Sequence, residues 1–281
     1  MGDELAKCLA GMAAIGITLG AAFGQQAAAP VAEATKLSGS LFVYCAAGVR
    51  EPVSEIAKQF EAQTGVKVEL TFANSGQLLG QIETTRIGDV YIPGDVGFVA
   101  KAREKKLTVG ESRTFCNFVP AIYVRKGNPR GIKSVSDLAG PGLKLALADP
   151  SAAIGQLQAK LFEKNHLDRG ALKENTVVSP ATVIDVAMAV KMGTVDAGII
   201  WDALASFASD QAELIRIPIE KNVIGEVAAT ALAGGKNAAA ARAFLDFLVS
   251  EKGRAVLKSK GYTVDEPAAK PPERQKGEQK G

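Results

Sequence analysis

The residues best suited to chemistry lie in four short loops rich in Gly, Ser and Ala, each between a predicted strand and a predicted helix. They are residues 47–49 (AGV), 74–76 (NSG), 151–155 (SAAIG) and 181–183 (ATV). The N–H groups in the first turn of a helix lack intrahelical partners, and the helix dipole places about half a positive charge there. Several helix N-termini directed at one point can therefore bind an anion without Lys or Arg. The pattern favours an anion site, although such loops also serve as plain connections in any α/β fold.

The sequence is poor in patterns typical of catalysis. His166 is the one histidine, and its polar surroundings are typical of an exposed helix end. The chain has no nucleophile elbow, phosphate-binding loop or dinucleotide fingerprint, and no Cys or His pair at the spacing of a soft-metal site. We therefore expect a protein that is not an enzyme and that carries no cofactor.

Four of five further side chains have two interpretations with respect to a ligand or a disulfide, and the fifth, Asp95, is not expected to contact the ligand. Arg50 follows the first loop and could donate paired N–H bonds to an anion or lie on a solvated rim. Trp201, the one tryptophan, ends a strand that should face the cleft, or it packs in the core. Asp95 would repel an anion, so we expect it to support the site from behind the ligand-contacting groups or to cap a helix. Cys45 and Cys116 could pair in an oxidising compartment or remain two buried thiols.

Composition indicates an exported, ordinary soluble body without affinity for nucleic acid. The 281 residues suffice for two modest lobes, and a net charge of +3 with 6% aromatic residues argues against nucleic-acid binding. Lys7, the apolar run 8–23 and small residues up to 29 have the order of a signal peptide, with a membrane anchor as the alternative. Residues 266–281 contain no large apolar residue and are predicted to be disordered.

The body alternates short β-type runs with amphipathic helical patterns, which predicts an α/β fold. Residues 37–117 and 225–265 are predicted to form one lobe and residues 118–224 the other, with two strands crossing between them. Ser75 is expected to cap the helix that follows it. Ligands of open α/β sheets lie beyond the carboxyl ends of the strands, which is where the four loops would meet.

Two blocks of sequence resemble the molybdate-binding component of ABC importers. They are residues 42–48 (FVYCAAG) with 56–60 (IAKQF), and residues 72–76 (FANSG) with 81–83 (QIE), and a weaker likeness extends to Val264. The resemblance implies a type II periplasmic-binding-protein fold, in which two α/β lobes enclose a ligand cleft. It also implies a monomeric periplasmic receptor that captures a tetrahedral oxyanion, molybdate or tungstate, for an ABC permease in the inner membrane.

The resemblance also implies a set of binding residues. In that family the dianion is held by neutral groups, namely two serines, main-chain N–H groups of both lobes and a tyrosine. Ser75 corresponds to the second serine, whereas Gly48 stands in place of the first and Trp201 in place of the tyrosine. The predicted ligand-binding residues are Gly48, Val49, Ser75, Gly76, Gly155, Val183 and Trp201, with Arg50 as a further candidate. The two replacements leave the identity of the anion open.

Two other functions fit the same pattern of elements. One is a binding protein of the same fold for ferric iron, another oxyanion or an organic anion. Ferric iron prefers tyrosine or carboxylate oxygens, and the four tyrosines of this chain include no adjacent pair. The other is an enzyme that uses the cleft to act on phosphate or sulfate esters.

Overall fold

Strands and helices alternate along the chain, as the sequence predicts. The computed structural model describes residues 37–208 and 210–265, so the predicted signal peptide (1–29) and tail (266–281) lie outside the described residues. The strands are β1 (Ser40–Ala46), β2 (Lys67–Ala73), β3 (Val90–Ile92), β4 (Thr108–Phe118), β5 (Pro120–Arg125), β6 (Leu145–Ala146), β7 (Thr176–Val178), β8 (Ala197–Trp201), β9 (Ala212–Arg216) and β10 (Gly225–Leu232). The α-helices are α1 (Arg50–Thr64), α2 (Ser75–Thr85), α3 (Val96–Glu104), α4 (Ala153–Lys164), α5 (Arg169–Asn175), α6 (Val183–Lys191), α7 (Ala238–Val249) and α8 (Glu251–Ser259). Short 3-10 helices cover Ala47–Val49, Val135–Ala139, Asp202–Ala208 and Ile219–Lys221.

The strands form two five-stranded sheets, one in each lobe. The first has the order β2-β1-β3-β10-β4, and the second has the order β7-β6-β8-β5-β9. In the first sheet β1 is parallel to β2 and β3, whereas β10 runs antiparallel to its neighbours. In the second sheet β6 is parallel to β7 and β8, and β5 is antiparallel to β8 and β9. The parallel strands deliver their carboxyl ends, and the loops that follow them, to one edge of each sheet.

The chain passes between the sheets twice, at adjacent points. Strand β4 ends at Phe118 in the first sheet, and β5 begins at Pro120 in the second, so only Val119 lies between them. The returning strand β10 starts at Gly225, which pairs with Phe118. The side chain of Asn222 is buried and donates from Nδ2 to the carbonyl of Pro120 at 2.8 Å, which ties the two crossings together. These crossings are the connection between the lobes that the sequence predicts.

The helices that border the cleft begin and end for local chemical reasons. In α1, apolar residues at helical spacing are buried, and the helix ends at Gly65, whose φ of 77° favours glycine. Asp95 caps α3 by accepting from the N–H of Gly97 at 2.8 Å, which confirms its predicted capping role. The expectation that Ser75 caps α2 is wrong. The cap is Asn74, whose Oδ1 accepts from the N–H of Gln77 at 2.8 Å, and Ser75 is the first residue of the helix.

Cys45 and Cys116 are both free and buried, and burial raises the pKa of each thiol. The structure therefore shows the second interpretation of these cysteines, two buried thiols without a disulfide between them.

Among the helices of residues 37–208 and 210–265, none has both the length and the apolar character needed to cross a bilayer.

Candidate anion-binding site

All four predicted loops border one small cavity between the lobes. The space that the centre of a water molecule can reach there is about 20 Å³, which is enough for roughly one or two water molecules. The first lobe and the crossing strand contribute Ala46, Ala47, Gly48, Ala73, Asn74, Ser75, Gly94 and Phe118, and the second lobe contributes Ala152, Ala153, Ile154, Thr182, Val183 and Trp201. A cavity of this size suits a small ion and excludes a nucleotide or a sugar.

Three helix N-termini supply hydrogen-bond donors to this cavity. Helices α2, α4 and α6 have 11, 12 and 9 residues, so each has a full first turn with unpartnered N–H groups. The first-turn residues on the cavity wall are Ser75, Ala153, Ile154 and Val183. None of these four N–H groups has a hydrogen-bond acceptor within the part of the chain that the structure describes. The main-chain dipoles therefore give the cavity a positive electrostatic potential.

The side chains on the cavity wall are all neutral, so no carboxylate opposes an anion there. The two polar side chains next to Ser75 and Val183 are already engaged in capping. Asn74 accepts from Gln77, and the Thr182 hydroxyl donates to Asp185 Oδ2 at 2.7 Å. The wall therefore offers a ligand main-chain N–H groups, one serine hydroxyl and one indole N–H.

The hydroxyl of Ser75 is held in place by its neighbours. Its Oγ accepts from the N–H of Gly94 at 3.0 Å, and its carbonyl accepts from the Tyr91 phenol at 2.7 Å; both bonds are buried. A serine hydroxyl has one proton to donate and two acceptor lone pairs. Because Gly94 uses an acceptor position, the proton of Ser75 remains available for a ligand. Burial raises the pKa of Tyr91, which keeps its phenol protonated as a donor at neutral pH.

Gly48 and Trp201 are in close contact on the cavity wall. A Cβ atom on Gly48 would lie 2.6 Å from Trp201 Nε1 and 3.0 Å from Phe118 Cζ. The Trp201 ring stacks on Phe118 with centroids 4.1 Å apart and planes at 11°. Among the described residues, the indole N–H of Trp201 has no hydrogen-bond acceptor. The indole thus occupies the volume that a side chain at position 48 would need, and its N–H can donate to a ligand.

The cleft is closed in this structure, and Gly76 forms part of the closure. Its N–H donates to the carbonyl of Ser151 across the cleft at 3.1 Å. A Cβ atom on Gly76 would lie 2.8 Å from that carbonyl oxygen. Gly94 is similarly confined, because a Cβ there would lie 2.8 Å from the Cβ of Ala153. Glycine at these two positions allows the lobes to approach closely.

We expect Gly76→Ala to weaken oxyanion binding about fivefold by opposing closure. The new methyl group would contact a main-chain oxygen that no rotamer change can move, and overpacking of this kind costs about 1 kcal/mol or more. Calorimetry measures the affinity, and small-angle scattering measures whether the ligand-bound form stays more open. Gly80→Ala is the matched control, because it lies in the same helix and its Cβ would meet nothing within 4 Å. Equal affinity in Gly76→Ala and the native protein would refute the closure role.

The structure brings only part of the predicted binding set to the cavity. Gly48, Ser75, Val183 and Trp201 line it. Three other predicted residues are not on its wall, namely Val49, Gly76 and Gly155.

Val49 is buried behind Gly48, the N–H of Gly76 is engaged by Ser151, and Gly155 follows the lining residue Ile154. Arg50 lies outside as well, with its guanidinium 4.3 Å above the Phe72 ring, on the rim of a larger neighbouring cavity. Ligand contact by any of these residues stays a prediction.

Sequence reasoning missed the donors of α4 because it started that helix too late. The predicted loop 151–155 ended at Gly155, whereas α4 begins two residues earlier, at Ala153. A turn precedes the helix, in which the N–H of Ala152 donates to the carbonyl of Asp149 at 2.9 Å. The first turn therefore presents the N–H groups of Ala153 and Ile154. The Asp149-Pro150 pair was a usable signal, because a turn at that pair leaves the next residues free to start the helix.

Comparison with known proteins gives a consistent assignment. A family model described as bacterial extracellular solute-binding protein matches residues 41–263. A binding protein of Haemophilus influenzae is 31% identical over 230 residues, which are 80% of this chain and 91% of that protein. The molybdate-binding protein ModA of Mycobacterium tuberculosis is 27% identical over 229 residues, which are 81% of this chain and 86% of that protein. The solved structure of the sulfate-binding protein SubI from the same organism matches with a TM-score of 0.73 at 17% identity, covering 82% of this chain and 88% of that one.

Two α/β lobes that close over a small cavity of main-chain donors define a solute-binding receptor of the kind that serves ABC importers. The chain belongs to the family of bacterial extracellular solute-binding proteins. The resemblance to molybdate-binding components and the two-lobed fold that it implied are thereby confirmed.

Proposed function

We propose that this receptor captures a small tetrahedral oxyanion in the periplasm and delivers it to an ABC permease. The observation that carries the proposal is the convergence of three helix N-termini on a cavity without an ionisable side chain. Main-chain N–H groups can stabilise two negative charges without bringing a counter-ion into the cleft. The Ser75 hydroxyl and the Trp201 indole supply donors of defined direction.

Molybdate or tungstate is the ligand that we favour. A relative at 27% identity is a molybdate-binding protein, and this likeness covers 81% of the chain. Molybdate and tungstate are nearly identical in size and charge, so this cavity should bind both with similar affinity. Sulfate is the next candidate, because a sulfate-binding protein shares the fold, although only 17% of the aligned residues are identical.

Binding couples to closure of the lobes in this proposal. The first lobe offers Ser75 and the loop of Gly48, and the second lobe adds Ala153, Ile154 and Val183. Only the closed form presents both sets, so the ligand raises the population of that form. Closure also removes water from the cavity, which strengthens each hydrogen bond to the bound charge. The permease would then recognise the closed, loaded receptor.

A receptor explains the cavity better than an enzyme or an iron carrier does. The wall has two hydroxyls, Ser75 and Thr182, and that of Thr182 is engaged with Asp185 in capping α6. No histidine, carboxylate or lysine lines the wall that could act as the base for Ser75. For ferric iron, residues 37–208 and 210–265 contain no group of three or more His, Cys, Asp or Glu side chains that could hold a metal ion. A bound oxyanion should therefore be recovered chemically unchanged after long incubation.

Thermal-shift measurements with molybdate, tungstate, sulfate, phosphate and chromate test the proposal. Ligand at about 100 times its Kd adds about 2.7 kcal/mol of stability, so the melting temperature should rise by roughly 5–10 °C with molybdate and tungstate. Sodium chloride at the same ionic strength is the control. A rise with sulfate alone would keep the receptor and overturn the molybdate assignment. No rise with any oxyanion would overturn the proposal.

A further inference from the structure

The first binding loop is held from behind by a residue near the end of the folded chain. Tyr262 follows α8, is 4% exposed, and donates its phenol hydrogen to the carbonyl of Gly48 at 2.5 Å. The two residues are 214 positions apart in the sequence. Tyr262 does not line the anion cavity; it lies on the larger neighbouring cavity together with Arg50. Its hydroxyl therefore contacts the loop and not the ligand.

Gly48 needs such an external contact, because glycine restricts its own backbone less than any other residue does. The 3-10 helix Ala47–Val49 has no side-chain cap that would fix its first turn. Rotation of the Gly48–Val49 peptide would turn a carbonyl oxygen, the negative end of the peptide dipole, toward a bound anion. The bond from Tyr262 holds that oxygen toward a residue that is not on the wall of the anion cavity.

The position of Tyr262 is itself tied to the strand that crosses between the lobes. The next residue, Thr263, forms an isolated β-bridge with Asn117, whose N–H donates to the Thr263 carbonyl at 2.7 Å. The Tyr262 ring lies 6.3 Å from that of Phe118, and Phe118 stacks on Trp201. Three aromatic rings thus lie next to the loop of Gly48. Phe118 ends the crossing strand β4, and Trp201 ends β8, where it pairs with Pro120.

The phenol of Tyr262 is a permanent donor. Burial raises the pKa of Tyr262, and the nearby carboxylate of Glu51 raises it further. The hydroxyl stays protonated at neutral and mildly alkaline pH, so the bond to Gly48 does not depend on pH in that range.

We propose that Tyr262 is a positioning residue of the anion site, which fixes the Gly48 peptide so that the loop presents N–H groups to the oxyanion. This inference rests on the proposed function. Tyr262 thereby affects binding without touching the ligand, and its bond allows a glycine to occupy a place where a precise donor geometry is required.

The test is Tyr262→Phe, which keeps the ring and removes only the hydroxyl. We expect the affinity for molybdate, measured by calorimetry well below the melting temperature, to fall about tenfold. The emission of Trp201, the one tryptophan, should also shift in the ligand-free variant, because the released loop lies against the indole. A purely structural role would lower the melting temperature and leave both the affinity and the emission unchanged.

Tyr44→Phe is the matched control. Tyr44 is also 4% exposed, and its phenol lies 3.5 Å from Thr85 Oγ1, away from the anion cavity. This variant should bind molybdate as tightly as the native protein does. Unchanged affinity in Tyr262→Phe, with a native protein that binds, overturns the positioning role alone. A native protein that binds none of the five oxyanions overturns the proposed function and this inference together.

Discussion

Replacement of Gly48 by serine should weaken oxyanion binding about 100-fold. The new Cβ would lie 2.6 Å from Trp201 Nε1, and the indole cannot retreat easily because Phe118 stacks on its face at 4.1 Å. Overpacking of a filled site costs about 1–3 kcal/mol, and each 1.4 kcal/mol is roughly a tenfold change in affinity. Calorimetric titration with molybdate measures the loss.

A second substitution should recover much of that loss. Tyrosine at position 201 is smaller than tryptophan, and Gly48→Ser with Trp201→Tyr gives the serine and the tyrosine that the family resemblance expects at these positions. We expect the double variant to bind at least tenfold more tightly than Gly48→Ser alone. Trp201→Tyr by itself completes the double-mutant cycle. Additive effects of the two changes, or native affinity in Gly48→Ser, would show that the two residues do not share one volume.

The convergence of the four loops could be predicted because it depends on general properties of parallel sheets. The apolar spacing of α1 and the glycine that ends it at position 65 define a strand–loop–helix unit without further information. Successive parallel strands then bring their carboxyl ends, and the loops after them, to the same edge of a sheet. The alternation of strands and helices therefore indicated both the fold and the region of the site.

The exact donors could not be predicted, because a helix start depends on contacts beyond the local sequence. Asn74 and Ser75 are equally good caps, so their order alone does not decide which of them starts α2. In the structure, the N–H of Gly94 donates to the Ser75 hydroxyl at 3.0 Å, and Asn74 is the residue that caps the helix. For α4, the preceding Ala152 has no capping side chain, so only the turn at Asp149-Pro150 indicated where the helix begins.

Contacts between residues far apart in the sequence account for the remaining differences between the sequence-based predictions and the structure. Trp201 lies at the end of a strand of the second sheet and approaches Gly48 in a loop of the first lobe. The hydrophobic periodicity of the sequence does not indicate this contact. Arg50 lies over Phe72, because a guanidinium gains from an aromatic face and the ring lies at the rim of the cleft. The bond from Tyr262 joins residues at opposite ends of the folded chain.

Removal of the Ser75 hydroxyl should also have a large effect on binding. Ser75→Ala should weaken molybdate binding by about 1–3 kcal/mol, or roughly 5- to 150-fold, the cost of losing a hydrogen bond to a charged partner. The loss has a second part, because the N–H of Gly94 in the cavity wall would lose its acceptor. Calorimetry gives the affinity, and thermal melting without ligand gives the change in stability.

Ser250→Ala separates these two effects. The Oγ of Ser250 also accepts a main-chain N–H, from Gly253 at 3.3 Å, and Ser250 is not among the residues that line the anion cavity. It should therefore lower stability by about 1 kcal/mol, as the loss of a helix cap does, and leave the affinity for molybdate unchanged. If Ser75→Ala behaves like Ser250→Ala, with lower stability and native affinity, then Ser75 supports the cavity wall and does not contact the oxyanion.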